Sequence, residues 1–305
     1  MTVNIAAWQG RVDGPGKEHA RWNSRIQPFS FESEPGVALI GFASDEGVRR
    51  NKGRVGSAQA PDQIRGTLAG LAVHHDLPLF DAGTVAVDDG DLEKGHEELA
   101  GQVASLIGQG HTAIVLGGGH ETAYGSHCGL RSAVPGSMGI INLDAHFDLR
   151  TADLPTSGTP FKQIADRFSH DFHYSVFGIS KPNNTVALFQ EADRLGVTVA
   201  LDEELLALPL QECAKLVTRS AAEVDHVHLS IDLDVLPAGV MPGVSAPAGL
   251  GVDLPRIRAM AIAAAQTGKL RLVDVVELNP KFDVDGRSAK LAARLIDDIV
   301  STLAS

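Results

Sequence analysis

Short, continuously apolar segments alternate with longer segments of helical periodicity, and this alternation constrains the fold more than any other feature of the chain. Several apolar segments are rich in Val and Ile without polar alternation, which is typical of strands buried on both faces. The predicted strands are 37–42, 113–118, 138–145, 174–179, 197–201, 226–232 and 271–278. The predicted helices lie near 58–71, 92–109, 121–132, 184–195, 202–222, 253–267 and 286–303. This order indicates an α/β protein whose parallel sheet is covered by helices on both faces.

The chain shows no sign of division into domains. No tract rich in Pro, Gly and Ser interrupts it and no internal repeat is visible, so we expect one domain over residues 1–305, with an irregular N-terminal extension over 1–36. Asp253 followed by Pro255 predicts a helix start, because Asp is a favoured N-cap and Pro is tolerated in the first turn. In open parallel sheets ligands bind beyond the carboxyl ends of the strands, so polar residues there are the candidates for chemistry.

Composition narrows the class of partner. The 305 residues include 38 acidic and 26 basic side chains, a formal net charge of −12. Nucleic acids and anionic membranes attract proteins through basic surfaces, so neither is an expected partner. No apolar run approaches the roughly 18 residues of a membrane-spanning helix, and no secretory signal pattern is visible at the N-terminus. Cys128 and Cys213 are far apart and predict two reduced thiols, so we expect a cytoplasmic location.

The predicted strand 113–118 runs into the segment LGGGHE, 116–121, which contains the first candidate metal ligand. Three glycines precede His120 just before a predicted helix, and glycine permits unusual backbone angles and close approach of other groups. A glycine-rich turn at a helix start can instead bind a phosphate. The GxGxxG spacing and a following Lys are both absent, which makes a phosphate site the weaker interpretation.

Two further strand ends carry carboxylates at alternate positions. In NLDAHFDLR, 142–150, Asp144, His146 and Asp148 alternate, so an extended backbone would point them to the same side. In HLSIDLDVL, 228–236, Asp232 and Asp234 repeat that spacing. A solvated polar edge is the alternative, but it fits poorly after the apolar residues 139–141. Carboxylates gathered beside a buried strand are favourable only with a positive charge between them.

Together the three strand ends provide four carboxylates and two imidazoles. Six ligands are too many for one tetrahedral Zn²⁺, and an oxygen-rich set with some imidazole suits Mn²⁺ better than Zn²⁺ or Cu²⁺. Two ions about 3.5–4 Å apart that share carboxylates would use all six and would activate a water for nucleophilic attack near neutral pH. The sequence therefore predicts a hydrolase with two Mn²⁺ ions per chain.

The three motifs resemble, in the same order, the signature of the ureohydrolase family, which comprises arginases, agmatinases and formimidoylglutamases. GGGHE, DAHFD and SIDLDVL carry the resemblance, and segments 45–65 and 274–280 extend it to roughly residues 37–300. The resemblance implies a three-layer α/β/α sandwich around a mixed but mostly parallel eight-stranded sheet, and assembly as a homo-oligomer. It also implies that Glu277 is the catalytic carboxylate that pairs with the guanidinium or amidinium end of the substrate. The implied metal ligands are His120 and Asp148 for one ion, His146 and Asp234 for the other, and Asp144 and Asp232 as bridges.

Departures from the family pattern indicate a branch within it. Arginases and agmatinases have a His after the DAHxD motif that is thought to shuttle protons, and Ser157 matches that position here. Arg150 would repel the amine of agmatine but can bind a carboxylate bidentately; a surface pair with Asp153 is the alternative. With SGTPF, FHYSVFGIS followed by NNT, and MPGVSAPAGLG, the pattern most resembles the formimidoylglutamases. The predicted substrate-binding residues are Arg150, Ser157 and Asn184.

This resemblance implies hydrolysis of a small-molecule amidine, N-formimidoyl-L-glutamate, to L-glutamate and formamide in histidine degradation. Two candidates are open for the proton donor to the leaving nitrogen: the metal-bound hydroxyl itself, or another residue such as His173. One alternative is another ureohydrolase that acts on a guanidino acid, because Arg150 suits any substrate with a carboxylate. The other is a catalytically idle metal-binding paralogue, against which the six intact ligands argue.

Overall fold

The computed structural model describes residues 4–305, which form nine β-strands, eleven α-helices and six short 3-10 helices. The strands are β1 (Ile26–Pro28), β2 (Val37–Ala43), β3 (Leu79–Ala86), β4 (Thr112–Leu116), β5 (Met138–Leu143), β6 (His173–Ile179), β7 (Thr198–Leu201), β8 (His226–Asp232) and β9 (Leu270–Val276). The α-helices are α1 (Trp22–Arg25), α2 (Glu46–Arg50), α3 (Ala60–Leu68), α4 (Leu92–Gly108), α5 (Thr122–Ala133), α6 (Pro160–Arg167), α7 (Val186–Arg194), α8 (Asp202–Ala207), α9 (Leu210–Ala222), α10 (Leu254–Gln266) and α11 (Arg287–Leu303). The 3-10 helices are Ile5–Trp8, Lys17–His19, Ser57–Gln59, Lys181–Asn183, Leu233–Val235 and Pro280–Phe282. None of the helices within residues 4–305 combines the length and the apolarity needed to cross a membrane.

One sheet contains all nine strands, in the order β1-β3-β2-β4-β9-β8-β5-β6-β7. Every neighbouring pair is parallel. The prediction of an α/β fold with a parallel sheet is confirmed. The expectation of eight strands in a mixed sheet is wrong, because the described residues form a ninth strand and no antiparallel pair within the sheet.

Helices cover both faces of the sheet. The helices α3, α9, α10 and α11 pack together on one face, while α4, α5 and α6 lie on the other. Consecutive strand residues enter opposite cores, as Leu39 and Ile40 of β2 do. The continuously apolar runs are therefore buried on both sides, and the three-layer α/β/α architecture is confirmed.

The strands β1 and β3 lie at one edge of the sheet, outside the predicted set. The apolar pattern fails at β3 because Asp81 lies within it, yet this carboxylate is buried. Arg65, also buried, donates to the two Asp81 oxygens from Nε at 3.0 Å and Nη2 at 2.9 Å, and Trp8 Nε1 donates at 2.6 Å. A buried carboxylate is tolerated when it is paired and hydrogen-bonded. The strand β1 ends in Pro28, which is tolerated at the sheet edge because no neighbouring strand needs its missing N–H. Because β1 lies within 1–36, the prediction that this segment is irregular throughout is wrong.

Helix boundaries differ from the prediction where proline or short length intervenes. The helix predicted over 202–222 is two helices, α8 and α9, which Pro209 separates. The short helices α2 and α6 were outside the predicted set. Asp253 is the N-cap of α10 as predicted, since its Oδ1 accepts a hydrogen bond from Arg256 N at 3.1 Å.

The sheet order decides where the candidate ligands meet. The strands β4, β9, β8 and β5 are consecutive neighbours in the middle of the sheet. Their carboxyl ends lead to His120, Glu277, Asp232 and Asp144, respectively. Segments that are more than a hundred residues apart in the chain therefore deliver their polar ends to one edge.

Candidate metal centre and substrate pocket

The structure brings all six predicted ligands together in two groups that share Asp144. The ligand atoms of each group lie within 4.8 Å of one another. The first group is His120, Asp144, Asp148 and Asp232, and the second is Asp144, His146 and Asp234.

Asp144 presents one oxygen to each group. Its Oδ2 lies 3.2 Å from His120 Nδ1, and its Oδ1 lies 3.6 Å from His146 Nδ1. Each oxygen also accepts one hydrogen bond, Oδ2 from Asn142 Nδ2 at 2.9 Å and Oδ1 from the backbone N–H of His146 at 2.6 Å. The carboxylate is therefore fixed in an orientation that suits a bridge between two cations.

Segments beyond the strand ends, and not strand alternation, aim the remaining carboxylates. Because β5 ends at Leu143 and β8 at Asp232, Asp148 lies in the irregular segment after β5 and Asp234 in the 3-10 helix Leu233–Val235. Asp148 has a φ of +48°, in the left-handed region. Asp232 Oδ2 lies 3.0 Å from His120 Nδ1, while its Oδ1 accepts from Asp234 N at 2.8 Å, so Asp232 faces the first group. The alternate spacing in 144–148 and 232–234 therefore identified residues that do converge. The prediction that an extended backbone brings them to one side is wrong.

Buried neighbours turn the His120 ring toward the carboxylates. Its Nε2 lies 2.9 Å from Ser230 Oγ, and its edge contacts Phe161, with ring centroids 5.1 Å apart. Its Nδ1 lies 3.0 Å from Asp148 Oδ2, and neither this Nδ1 nor Asp234 Oδ1 has a satisfactory hydrogen-bond partner among residues 4–305. Buried polar atoms are almost always paired, so these unpaired ligand atoms fit a site that takes a cation.

The electrostatics of the cluster also favour a cation. Burial and the neighbouring Asp234 and Asp144 carboxylates raise the pKa of Asp232 well above its usual value. Burial lowers the pKa of His146, but the same two carboxylates outweigh it and raise that pKa to about 12. Like charges in a low-dielectric site are compensated either by protons or by metal ions. The donor set of carboxylates and imidazoles fits Mn²⁺.

A cavity of about 180 Å³ opens onto these ligands and is lined by Glu277. Glu277 is buried, has a φ of +68°, and accepts from the His120 N–H at 2.8 Å through Oε1 and from Ser245 Oγ through Oε2. Burial and the charge of Asp234 raise the pKa of Glu277 to about 7. A carboxylate held this way, beside the metal ligands, is placed to pair with a cationic substrate group.

The cavity also contains a guanidinium that forms no ion pair with any residue of 4–305. Arg150 lines it and is exposed, and the alternative surface pair with Asp153 is not formed. The backbone of Arg150 is fixed by a hydrogen bond from its N–H to Gly158 O at 2.9 Å. Ser157 lines the same cavity, and its Oγ accepts from Asn51 Nδ2 at 3.0 Å.

Asn184 lines the cavity, but its polar atoms are used by the backbone. Its Nδ2 donates to Ala145 O and Ser180 O, both at 2.9 Å, and its Oδ1 accepts from Phe147 N at 3.2 Å. These bonds favour a role in holding the DAHFD turn. Substrate binding by Asn184 stays a prediction.

His173 lies at the opposite end of the sheet from the metal ligands. It begins β6, and its Nε2 is 3.0 Å from Asp171 Oδ1. A strand of seven residues spans about 20 Å, since each residue advances the chain by about 3.3 Å. The suggestion that His173 protonates the leaving nitrogen is therefore wrong.

Asn51 and Ser245 are pocket residues that the sequence did not single out. Both lie inside segments that carry the family resemblance, 45–65 and 241–251. Neither residue type indicates a site by itself, so only the folded structure places them beside Arg150 and Glu277.

Comparison with known proteins shows the family of this chain. Residues 35–301 match the sequence model described as the Arginase family. The chain belongs to the arginase family. The predicted ureohydrolase resemblance is thereby confirmed. A formimidoylglutamase of Corynebacterium efficiens is 49% identical over 294 residues, which cover 96% of this chain and 93% of that protein.

Two solved structures resemble this arginase-family member. The crystal structure of Trypanosoma cruzi formiminoglutamase with Mn²⁺ is 28% identical, with a TM-score of 0.84, and the match covers 94% of this chain and 99% of that one. The formimidoylglutamase of Bacillus subtilis has a TM-score of 0.86 at 20% identity, over 93% of this chain and 92% of that one, and bears on the fold alone.

Proposed function

We propose that this arginase-family protein is a formimidoylglutamase that uses two Mn²⁺ ions per chain to hydrolyse N-formimidoyl-L-glutamate to L-glutamate and formamide. One observation carries the proposal. Both metal-ligand groups, the buried carboxylate of Glu277 and the unpaired guanidinium of Arg150 border the same cavity. A substrate with an amidinium at one end and a carboxylate at the other matches these two charges. The relative from Corynebacterium efficiens named formimidoylglutamase, at 49% identity, supports the same substrate.

Each element of the site has a role in this reaction. Two divalent ions in the ligand groups would supply an activated water and electrostatic stabilisation at the amidine carbon. Glu277 holds the amidinium over that position, and its own oxygens are held by the His120 N–H and the Ser245 hydroxyl. A carboxylate fixed beforehand orients the substrate without further ordering at the moment of reaction. The bond between the amidine carbon and the glutamate nitrogen breaks, formamide keeps the oxygen of water, and the nitrogen leaves as the glutamate amine.

The carboxylate end of the substrate is assigned to Arg150. A guanidinium binds a carboxylate through two parallel N–H donors, which fixes orientation as well as charge. The hydroxyl of Ser157 and the amide of Asn51 lie beside it in the cavity wall. A His at position 157, as in arginases and agmatinases, would occupy part of this space.

A parallel substrate assay tests the proposal. Protein reconstituted with Mn²⁺ is given formimidoylglutamate, arginine, agmatine and guanidinobutyrate, and we expect formimidoylglutamate to give the highest kcat/KM. Preference for arginine or guanidinobutyrate would assign the protein to another ureohydrolase, and no turnover by fully loaded protein would indicate an idle paralogue. We also expect two Mn²⁺ per chain by elemental analysis. Because the four carboxylates need compensation, exhaustive chelation should abolish turnover and lower the melting temperature, and full turnover after chelation would refute the metal mechanism.

We further propose that the protein works as a homo-oligomer in the cytoplasm. The buried thiols of Cys128 and Cys213 are both free, which suits a reducing compartment. Light scattering on the purified protein tests the oligomeric state.

A further inference from the structure

Glu121, the last residue of the LGGGHE motif, is a fully buried carboxylate outside both ligand groups and outside the cavity lining. Its Oε1 accepts hydrogen bonds from Ser44 Oγ at 2.9 Å and from Gly47 N at 3.0 Å. Two glycines make room for it. A Cβ atom at Gly47 would lie 2.5 Å from Glu121 Cδ, and one at Gly119 would lie 2.1 Å from Glu121 Oε2. The surrounding backbone is therefore fitted to this side chain.

The hydrogen bonds of Glu121 lead through α2 to the loop 149–159. Gly47 is in the first turn of α2, and its carbonyl accepts from Asn51 N at 2.9 Å. The Asn51 side chain then donates to Ser157 Oγ at 3.0 Å. Arg50 adds a second link, from Nη1 to Pro155 O at 3.2 Å. The helix held by Glu121 thus holds this loop at two points.

Arg150 is positioned by the same loop. Its backbone N–H donates to Gly158 O at 2.9 Å. A Cβ atom at Gly158 would lie 3.0 Å from Arg150 Cδ and 3.2 Å from Asn51 Nδ2, so both side chains pack closely over this glycine. The position of the guanidinium therefore depends on where α2 places Asn51.

The turn that carries Glu121 also fixes the opposite end of the cavity. Its His120 belongs to the first ligand group, and the His120 N–H donates to Glu277 Oε1 at 2.8 Å. The Glu277 N–H donates to Gly118 O, also at 2.8 Å. This one turn therefore contacts Glu277, the carboxylate proposed to bind the amidine, directly. Through Glu121 and α2 it also contacts the side of the cavity where Arg150 lies, which is proposed to bind the substrate carboxylate.

We propose that Glu121 is a positioning residue that fixes the distance between the metal centre and the face formed by Asn51, Ser157 and Arg150. The assignment of that face to a substrate carboxylate rests on the proposed function. The relay of hydrogen bonds from Glu121 to the loop does not.

Two substitutions at Glu121 test the relay in the Mn²⁺-loaded full chain. Glu121→Ala removes the acceptor of two hydrogen bonds, whereas Glu121→Gln keeps an acceptor oxygen of the same reach. Because the loss of both hydrogen bonds frees α2 while leaving the metal-ligand groups in place, we expect Glu121→Ala to raise KM for formimidoylglutamate about tenfold, with kcat and Mn²⁺ content changed much less. Amide hydrogen exchange should quicken over 150–159 in Glu121→Ala and stay near that of the unmodified protein in Glu121→Gln.

Asp225→Ala is a control for the loss of an exposed carboxylate that forms the same two kinds of hydrogen bond. Asp225 likewise accepts from a backbone N–H and a serine hydroxyl, both of Ser137, at 2.9 and 3.0 Å, but at the opposite end of the strands. The variant Asp225→Ala should leave both KM for formimidoylglutamate and amide hydrogen exchange over 150–159 unchanged. A double variant of Glu121→Ala with Asn51→Ala should raise KM no more than the stronger single variant, because both act on one relay.

Unchanged exchange over 150–159 in Glu121→Ala, or additive effects in the double variant, would overturn the proposal. So would a parallel loss of kcat and Mn²⁺ at unchanged KM, since Glu121 would then support the metal turn alone. If Glu121→Ala does not fold, Glu121→Asp replaces it: the shorter side chain draws back from Gly47 and should give the same exchange result. The exchange measurement needs no substrate, so failure of the proposed function would appear separately, as absence of formimidoylglutamate turnover in the unmodified protein.

Discussion

Replacing Arg150 by Met tests how the proposed substrate is recognised. Methionine keeps most of the apolar stem and removes the guanidinium, which forms no ion pair within the described residues and is therefore free to bind a ligand. A hydrogen bond to a charged group contributes about 1.5–3 kcal/mol, equivalent to about 10- to 150-fold in binding. Because Arg150 is exposed, solvent weakens the pair and the lower end of that range applies. We expect KM for formimidoylglutamate to rise about tenfold, with Mn²⁺ content unchanged because Arg150 is not a ligand.

Steady-state kinetics on two substrates distinguish recognition from loop support. A formamidine without carboxylates should lose much less kcat/KM in Arg150→Met, since nothing in it pairs with the guanidinium. Arg219→Met provides a control, because Arg219 is an exposed arginine of α9 that forms no salt bridge within residues 4–305 and does not line the cavity. An equal fall in kcat/KM for both substrates would refute the reasoning and show that Arg150 supports the loop.

Three further predictions follow from the buried charges. Asp144→Ala should lose more Mn²⁺ by elemental analysis than Asp148→Ala, because Asp144 belongs to both ligand groups; equal loss would remove its bridging role. In the metal-free protein His146, with its pKa raised to about 12, is protonated near neutral pH and must release that proton to bind metal. Calorimetry in buffers of different ionisation enthalpy should therefore show proton release on Mn²⁺ binding. The affinity for Mn²⁺ should also weaken as pH falls. An affinity independent of pH would contradict this. Arg65→Met should destabilise the fold by about 3–5 kcal/mol in denaturant unfolding, because it leaves Asp81 buried without its partner, and a loss below about 1 kcal/mol would contradict that account.

The sequence by itself determined the fold class and the set of candidate metal ligands. Both are local properties of the chain: an apolar run of Val and Ile predicts a strand buried on both faces wherever it lies. The residues that follow such a run, as at Asp144 and Asp232, lie at the carboxyl edge of a parallel sheet regardless of strand order. The resemblance to the ureohydrolases added the catalytic assignment of Glu277, which the position of this residue beside the metal ligands supports.

The tertiary structure alone decided the features that depend on contacts between distant segments. The strand β3 lies outside the predicted strands because its Asp81 is neutralised by Arg65 of another element, a pairing that no local pattern reports. The left-handed backbone at Asp148 and the free side chain of Arg150 follow from how their loop packs. The sequence distinguishes Glu121 only as the last residue of the LGGGHE motif, and its link through α2 to the loop 149–159 exists only because the sheet places β2 beside β4. Local sequence limits what each segment can form, whereas burial of charge and the meeting of loops are set by which segments become neighbours.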